Sequence, residues 1–527
     1  MNTKSQKTQT LFRVGITLVI LILLNIISVR IFGRLDVTKN NLFTLSDASK
    51  QFMRNLDDRV TIKAYFTEDL PSPYNMNRRS VLDQLNEYKA YSKGNLQFEF
   101  IDPSGENGEQ DAQQQGIQPV QVQVVKEDKF EVKRAYMGMV ILYEDKKEIL
   151  PVVQNTSTLE YDITSTIKRL TSRTQKKIGF LSGHGEPELN ELSRIQQLLS
   201  KQYQVTNVDV SKCKPVPTDV AALIVMAPNQ RFPETDKYQI DQYLMSGGKI
   251  AFLINKVDAN LQQRMGRATE LNIDDLLENY GLRINPDLVR DSRCASVSIV
   301  QQQFGFNIQS QVPFPYLPMA SEFSKDNMMV KDLQGLVLFF VSSIDTANLA
   351  AKHLQGEIFM RSSKESGRQT GFFMFDPLQR YQKEDFAEKG IPLAAVVYGQ
   401  FKSFFAGKEV PRDTSASADT LRSKTIETSP ASRIVLVGDG DFARDQYLGN
   451  RDNLTFFANM VDYLVDDAGL ITIRSKDVSM PPLEQVSDGT KKMLKYGNLI
   501  IPPLLILGYG LFRWRVRKAR KKVLSAG

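Results

Sequence analysis

Two histidines and two cysteines are all that 527 residues contain. With His184 and His353 the sole imidazoles, histidine-rich metal chemistry is excluded. Cys213 and Cys294 stand some eighty residues apart, too sparse for a disulfide framework or a tetrahedral zinc site. They are expected to remain separate thiols, with pairing in an oxidising compartment as the alternative. No G-x-x-x-x-G-K-[ST] stretch occurs, so the chain does not hydrolyse ATP with a P-loop. No G-x-S-x-G occurs either, and neither cysteine follows a central strand, which leaves no nucleophile elbow. A basic footprint for nucleic acid is also missing. The formal charge is +7, yet Lys4, Lys7 and Arg13 near one end and seven Arg and Lys residues between 513 and 522 carry ten positive charges, leaving the body near −3.

What is present begins with two apolar runs. Val14 to Val29 has no charged residue, and Leu11, Phe12, Ile31 and Phe32 extend it to spanning length, giving a transmembrane helix over 11–32. The run ends without a small-residue cleavage site, which favours an uncleaved anchor over a signal peptide. Tyr496 to Phe512 is a second uncharged run, closed by Trp514, and predicts a span over 495–514 that Pro502 and Pro503 would kink. Residues 1–10 and the tail 515–527 are basic, so both termini are expected in the cytoplasm. The roughly 460 residues between the spans then lie outside the inner membrane, which in a Gram-negative cell means the periplasm.

Residues 35–175 read as β-α-β-α-β-β-α. VTIKAYFT (60–67) and LQFEFIDP (96–103) are strands around a helix from Asn77 to Tyr91, and a strand from Pro119 precedes MGMVILYED, KEILPVV and the helix LEYDITSTIKRL. The order resembles a thioredoxin-like fold, with Pro119 where that fold places its cis-proline. The stretch after the first strand, EDLPSPYNMNRR, holds no thiol, so binding or scaffolding is the expected use. Residues 176–475 read as a doubly wound, flavodoxin-like α/β domain: KIGFLSGHGEPE, VTNVDV, AALIVMAPN, KIAFLIN and RIVLVGDGDFARD supply strands, and helices follow them. An insertion at about 290–430 interrupts it. Within the insertion LVLFFVSSI (336–344) reads as one buried strand, and KEVPRDTSASADTLRSKTIETSPAS as a mobile loop.

The sharpest local feature is Ser182, Gly183, His184, Gly185 and Glu186 at a strand-to-helix turn, where α/β sheets bind ligands. A structural turn, a ligand contact and catalysis compete for it, and the lack of G-x-G-x-x-G or a Walker lysine places catalysis last. Asp439 and Asp441 end another parallel strand and face the same sheet edge. Carboxylates at helix starts already have a role as caps, so these seven residues are candidate ligand contacts, and no metal, cofactor or catalytic residue is assigned.

The ordered set RLDVTKNNLFTLSDASKQFMRNLDDRVTIKAYF, IGFLSGHGEPE, DDLLENYGLRINPDLVRD, VLVGDGDF and FFANMVDYLVDDAGLITIRSK, bracketed by the two spans, resembles the auxiliary component of gliding-motility ABC transporters, the GldG family. The resemblance implies a non-catalytic inner-membrane subunit that works with a permease and a separate ATPase. It also implies a second domain similar to class I glutamine amidotransferases without their nucleophile. An envelope partner in the periplasm would fit such a subunit. The rival reading is a membrane-anchored periplasmic hydrolase or carbohydrate-binding protein using a cleft around His184. It requires His184, Glu186, Asp439 and Asp441 to converge in an open cleft.

Overall fold

The computed structural model describes residues 44–465 apart from 69, 71–73, 105, 127–128, 154–155, 157, 173, 212, 304–305, 332, 347–348 and 412–424, together with 15–17, 469, 471, 473, 493, 495, 503, 507–511 and 513–515. Residues 1–479 form one compact unit and 480–527 a second, of which 493, 495, 503, 507–511 and 513–515 are described. The segment 11–32 falls outside the described residues except for 15–17, and 495–514 falls outside them except for 495, 503, 507–511, 513 and 514. Among the described residues no helix is long and apolar enough to cross a membrane. Most of the polar loop after Lys408 also lies outside them. The architecture is mixed α/β.

The first layer is a four-stranded sheet made of β1 (Val60–Phe66), β2 (Leu96–Ile101), β5 (Met137–Tyr143) and β6 (Lys146–Leu150), in the order β2-β1-β5-β6. β1 and β2 are parallel and the other pairs antiparallel. Alternation sorts β1 by face: Val60, Ile62 and Ala64 pack with Met139 and Ile141 against α2 (Tyr74–Tyr91) and α4 (Leu159–Thr171), while Tyr65 and Val140 face Ala112 of α3 (Glu106–Gln114). Each fully buried aliphatic side chain there contributes about 1.5–3 kcal/mol. Between β2 and β5 the single strand expected from Pro119 is a hairpin, β3 (Val120–Lys126) with β4 (Lys129–Ala135). The opening helix α1 (Asp47–Arg54) is capped by Ser46, whose Oγ accepts the Ser49 N–H at 3.2 Å. Glu160 on α4 holds that turn in place. Its Oε1 accepts the Ser46 N–H and the Ser49 hydroxyl, both at 2.7 Å.

The second layer is an eight-stranded sheet. Its parallel part comprises β7 (Lys177–Ser182), β8 (Gln204–Asp209), β9 (Val220–Met226), β10 (Ile250–Leu253) and β14 (Thr428–Val437), in the order β8-β7-β9-β10-β14. Burial on both faces explains the unbroken apolar runs. Ile224, Met226, Ala251 and Leu253 face α5 (Ser193–Leu199) and α8 (Arg451–Leu464), whose Phe456, Phe457, Met460 and Val461 form one stripe. Leu223, Val225, Ile250 and Phe252 face α6 (Glu234–Met245) and α7 (Asp274–Asn279). α6 carries Glu234 and Asp236 in its first turn, where they meet the positive end of the helix dipole. It ends where the Gly248 N–H reaches back 2.9 Å to the Tyr243 carbonyl.

The insertion completes this sheet. β11 (Glu322–Phe323), β12 (Gln355–Arg361) and β13 (Pro392–Lys402) add to β14 in the order β11-β12-β13-β14, every pair antiparallel. The insertion also holds a long hairpin, Cys294–Gln303 with Phe306–Ala320, which forms a separate sheet with Leu336–Val337. The run 336–344 is not the single strand its composition predicts. Leu336–Val337 and Ile344–Thr346 pair in two different sheets, and between them Phe340 takes φ 51°, so the chain turns even though Leu338 and Val341 stay in the core. Apolar content reported burial correctly there and conformation wrongly.

Candidate functional site

β7 lies between β8 and β9, so the chain leaves it in one direction and returns on the other side. Doubly wound sheets open a ligand crevice at the carboxyl ends of such strands. Here the crevice is crossed by the protein's own backbone. The His184 carbonyl accepts the N–H groups of Asn229 at 3.0 Å and Gln230 at 2.9 Å, which lie in the turn after β9. Gly185 makes this approach feasible: its φ is +77°, and a Cβ there would sit 1.9 Å from Asn229 Oδ1.

The side chain of His184 is committed as firmly as its backbone. It is buried, and its ring stacks on Phe232 at 4.1 Å. Nε2–H donates to Asp236 Oδ2 at 2.9 Å. Nδ1 lies 3.3 Å from Glu186 Oε1, an ion-pair contact without hydrogen-bond alignment, and the other Glu186 oxygen accepts the His184 backbone N–H at 2.7 Å. Burial on its own lowers the pKa of the ring, but Asp236 and Glu186 outweigh it and raise it from 6.5 to about 9. At neutral pH this is a buried imidazolium between two carboxylates. It has no proton vacancy with which to act as a base, and it offers solvent no face.

The turn after β14 is organised by a different carboxylate. Asp439 is fully buried; its Oδ2 accepts the Phe339 N–H at 2.6 Å, and its Oδ1 those of Asp441 at 2.7 Å and Phe442 at 3.2 Å. Burial pushes its pKa well up, the neighbouring Asp441 charge adds to that, and the three N–H groups oppose it. Asp441 accepts from Asn255 Nδ2 at 2.7 Å and from Arg444 at 3.2 Å, while Arg444 also pairs with Glu191. One residue on, Asp445 caps α5 through the Ser193 and Arg194 N–H groups. The result is a polar brace tying the turns after β7, β10 and β14 together.

The candidate residues therefore form two networks. His184 and Glu186 belong with Asp236 and Phe232; Asp439 and Asp441 belong with Asn255, Arg444 and Phe339. In the sheet β9 and β10 lie between β7 and β14, which separates the two strand ends by about 14 Å at usual strand spacing. The open convergence required for a hydrolytic centre is not built. Ser182 and Asp441 remain partly exposed, and Gly183 is exposed. Asp236, Asn255 and Arg444 were not singled out from the sequence, although they all stand just beyond a parallel strand or in the following helix, where this topology gathers side chains.

Two cavities open away from this edge. One of about 470 Å³ is lined by residues of α7 and of the turn after β13. The other, about 390 Å³, lies where β9 begins and α6 ends. Neither is lined by Ser182–Glu186, Asp439 or Asp441. Among the described residues no cluster is placed to hold a metal ion, and Cys213 and Cys294 are both free thiols.

Residues 175–467 match the profile of a family described as an ABC-type uncharacterized transport system. Residues 39–142 match that of a domain of unknown function. An uncharacterized protein of Borreliella burgdorferi is 24% identical over 527 residues, covering 96% of this chain and 97% of that relative. Among solved structures, the mmIFT52 N-terminal domain superposes with a TM-score of 0.33 at 15% identity, covering 55% of this chain and 96% of that domain.

Proposed function

The chain belongs to the family of auxiliary components of ABC-type transport systems, and from this we propose that it is a membrane-anchored subunit that performs no chemistry and binds a substrate or an envelope partner for the transporter. A permease and a separate ATPase are the partners that such membership implies. The observation that carries the non-catalytic reading is the state of His184, sealed between Asp236 and Glu186. The uncharged runs at 11–32 and 495–514, each flanked by basic residues, support anchoring in the inner membrane with both termini cytoplasmic and the body periplasmic. The ordered motifs bracketed by those spans support the gliding-motility, GldG-type assignment.

The strand orders support finer readings of the two layers. β2-β1-β5-β6, with one parallel pair and two antiparallel ones, is what a thioredoxin-like domain requires. β8-β7-β9-β10-β14, parallel and covered on both faces, is the flavodoxin-like order shared by amidotransferase-like domains. A partner would dock on the carboxyl edge through Ser182, Gly183 and Asp441. His184, Gly185, Glu186 and Asp439 would fix the turns behind them.

The test is purification of the tagged full-length chain in mild detergent, with mass spectrometry of the proteins that accompany it. Recovery of a permease and an ATPase, lost on deletion of residues 496–527, is the expected outcome. Recovery of the chain alone, under conditions that keep other membrane complexes intact, overturns the proposal.

A further inference from the structure

The cavity of about 470 Å³ stands on the α7 side of the eight-stranded sheet, and three separate segments bring cations to it. Arg283 comes from the strand after α7, Lys352 from the 3-10 turn Ala350–Lys352, and Lys402 and Lys408 from the end of β13 and the turn that follows. Two carboxylates share the wall, and both are already neutralised. Asp275 takes a two-pronged contact from Lys237 at 2.8 Å, and Glu278 pairs with Arg283 at 2.9 Å. Among the described residues, Lys352, Lys402 and Lys408 meet no carboxylate.

The walls are fixed rather than fluid. Asn279 Nδ2 donates to the Lys402 carbonyl at 2.9 Å, and Lys352 Nζ donates to the Asn279 carbonyl at 3.2 Å, so all three segments are laced together. Ser403 Oγ donates to the buried Asp241 at 2.7 Å, as does the Phe404 N–H at 2.8 Å. The Phe404 ring is thereby held in the lining. Lys408 Nζ lies 3.4 Å from its centroid and Lys237 Nζ 4.9 Å. Two ammonium groups resting on one ring, with no anion facing the outer one, leave positive potential focused in a concave, braced site.

We infer that this cavity is a binding site for a small anionic molecule bearing carboxylate or phosphate groups. Lys402 and Lys408 supply its charge-assisted hydrogen bonds, and Phe404 packs against its body. The volume lies within the range of ligand pockets, and pairs of ammonium donors on an ionised acceptor are among the stronger polar contacts. The inference does not depend on the transporter reading, since it rests on the cavity alone.

The full-length chain in detergent is titrated separately with pyrophosphate and with citrate by calorimetry, against sodium chloride at matched ionic strength. Saturable binding of one or both anions is expected, the pair of arms distinguishing phosphate from carboxylate chemistry. The double substitution Lys402→Ala/Lys408→Ala should weaken it by about tenfold or more. Lys364→Ala/Lys389→Ala, which removes two exposed lysines that do not line the cavity, should leave it unchanged. Both substituted pairs are at the surface, so retained folding is checked by thermal denaturation. No binding of either anion beyond the salt control, or equal weakening by the two double variants, overturns the inference.

Discussion

His184 Nε2 and Asp236 Oδ2 lie 2.9 Å apart, joining the turn after β7 to the first turn of α6 across 52 residues of sequence. With Glu186 on the other side of the ring, the histidine is held as a cation in the interior. Its pKa is raised from 6.5 to about 9, so the folded chain binds this proton more tightly than the unfolded one. The stabilisation is complete below about 6.5 and is lost as pH rises through about 9. Urea midpoints of the wild type should therefore fall over that interval, and those of His184→Gln should fall less. At neutral pH the substitution should cost about 3 kcal/mol, because it leaves two buried carboxylates without their cation. Parallel pH curves for the two proteins would refute the assignment.

Gly185 tests whether the crossing between β7 and β9 is steric. Gly371 has a similar φ, +81°, with nothing within 4 Å of its missing Cβ, so Gly371→Ala reports the backbone cost alone, about 1 kcal/mol. Gly185→Ala meets the Asn229 amide as well and should cost about 2 kcal/mol or more. Adding Asn229→Ala should recover the difference, a coupling that a double-mutant cycle reads directly. If the two substitutions at Gly185 and Asn229 are additive, the Asn229 amide is not the obstacle.

How much of this was legible follows from what each residue signals. β7, β9, β10 and the core of β14 are unbroken apolar runs because both faces are covered, and their positions follow from composition. β4 is charged along most of its length, KFEVKRA, and gives no apolar signal that would separate the hairpin from a single strand. The run at 336–344 carried the opposite ambiguity, apolar yet broken at Phe340. At the carboxyl edge His184 announces itself by rarity. Asp236, its partner, is one acidic residue among many at helix starts, and only the return of the chain from β9 to α6 beside β7 brings the two together. The separation of Asp439 from His184 is likewise a matter of strand order, which local patterns do not encode.

Asp439 is a test of backbone organisation. Asp439→Asn keeps one oxygen for the Asp441 and Phe442 N–H groups but presents an amide to the Phe339 N–H, which donates to Oδ2 at 2.6 Å. A donor facing a donor in a buried turn should cost about 1–3 kcal/mol. Hydrogen exchange at the Phe339 amide should rise with it, while exchange at α4, in the other layer, stays unchanged. Unaltered protection at Phe339 would show that this contact does not hold the turn.

Lys237 predicts an asymmetry between partners of one ion pair. Its side chain has no solvent exposure, whereas those of Asp275 and Glu234 are about half exposed. The desolvation cost therefore falls on the lysine. Lys237→Met removes the buried charge, keeps most of the packing against α7 and the Phe404 ring, and lets the carboxylates return to water; it should change stability by about 1 kcal/mol or less. Asp275→Ala leaves the ammonium buried with Glu234 as its remaining carboxylate and should cost about 2 kcal/mol or more. Urea midpoints rank the two variants, and the reverse order would mean that the carboxylates, not the lysine, bear the cost of burial.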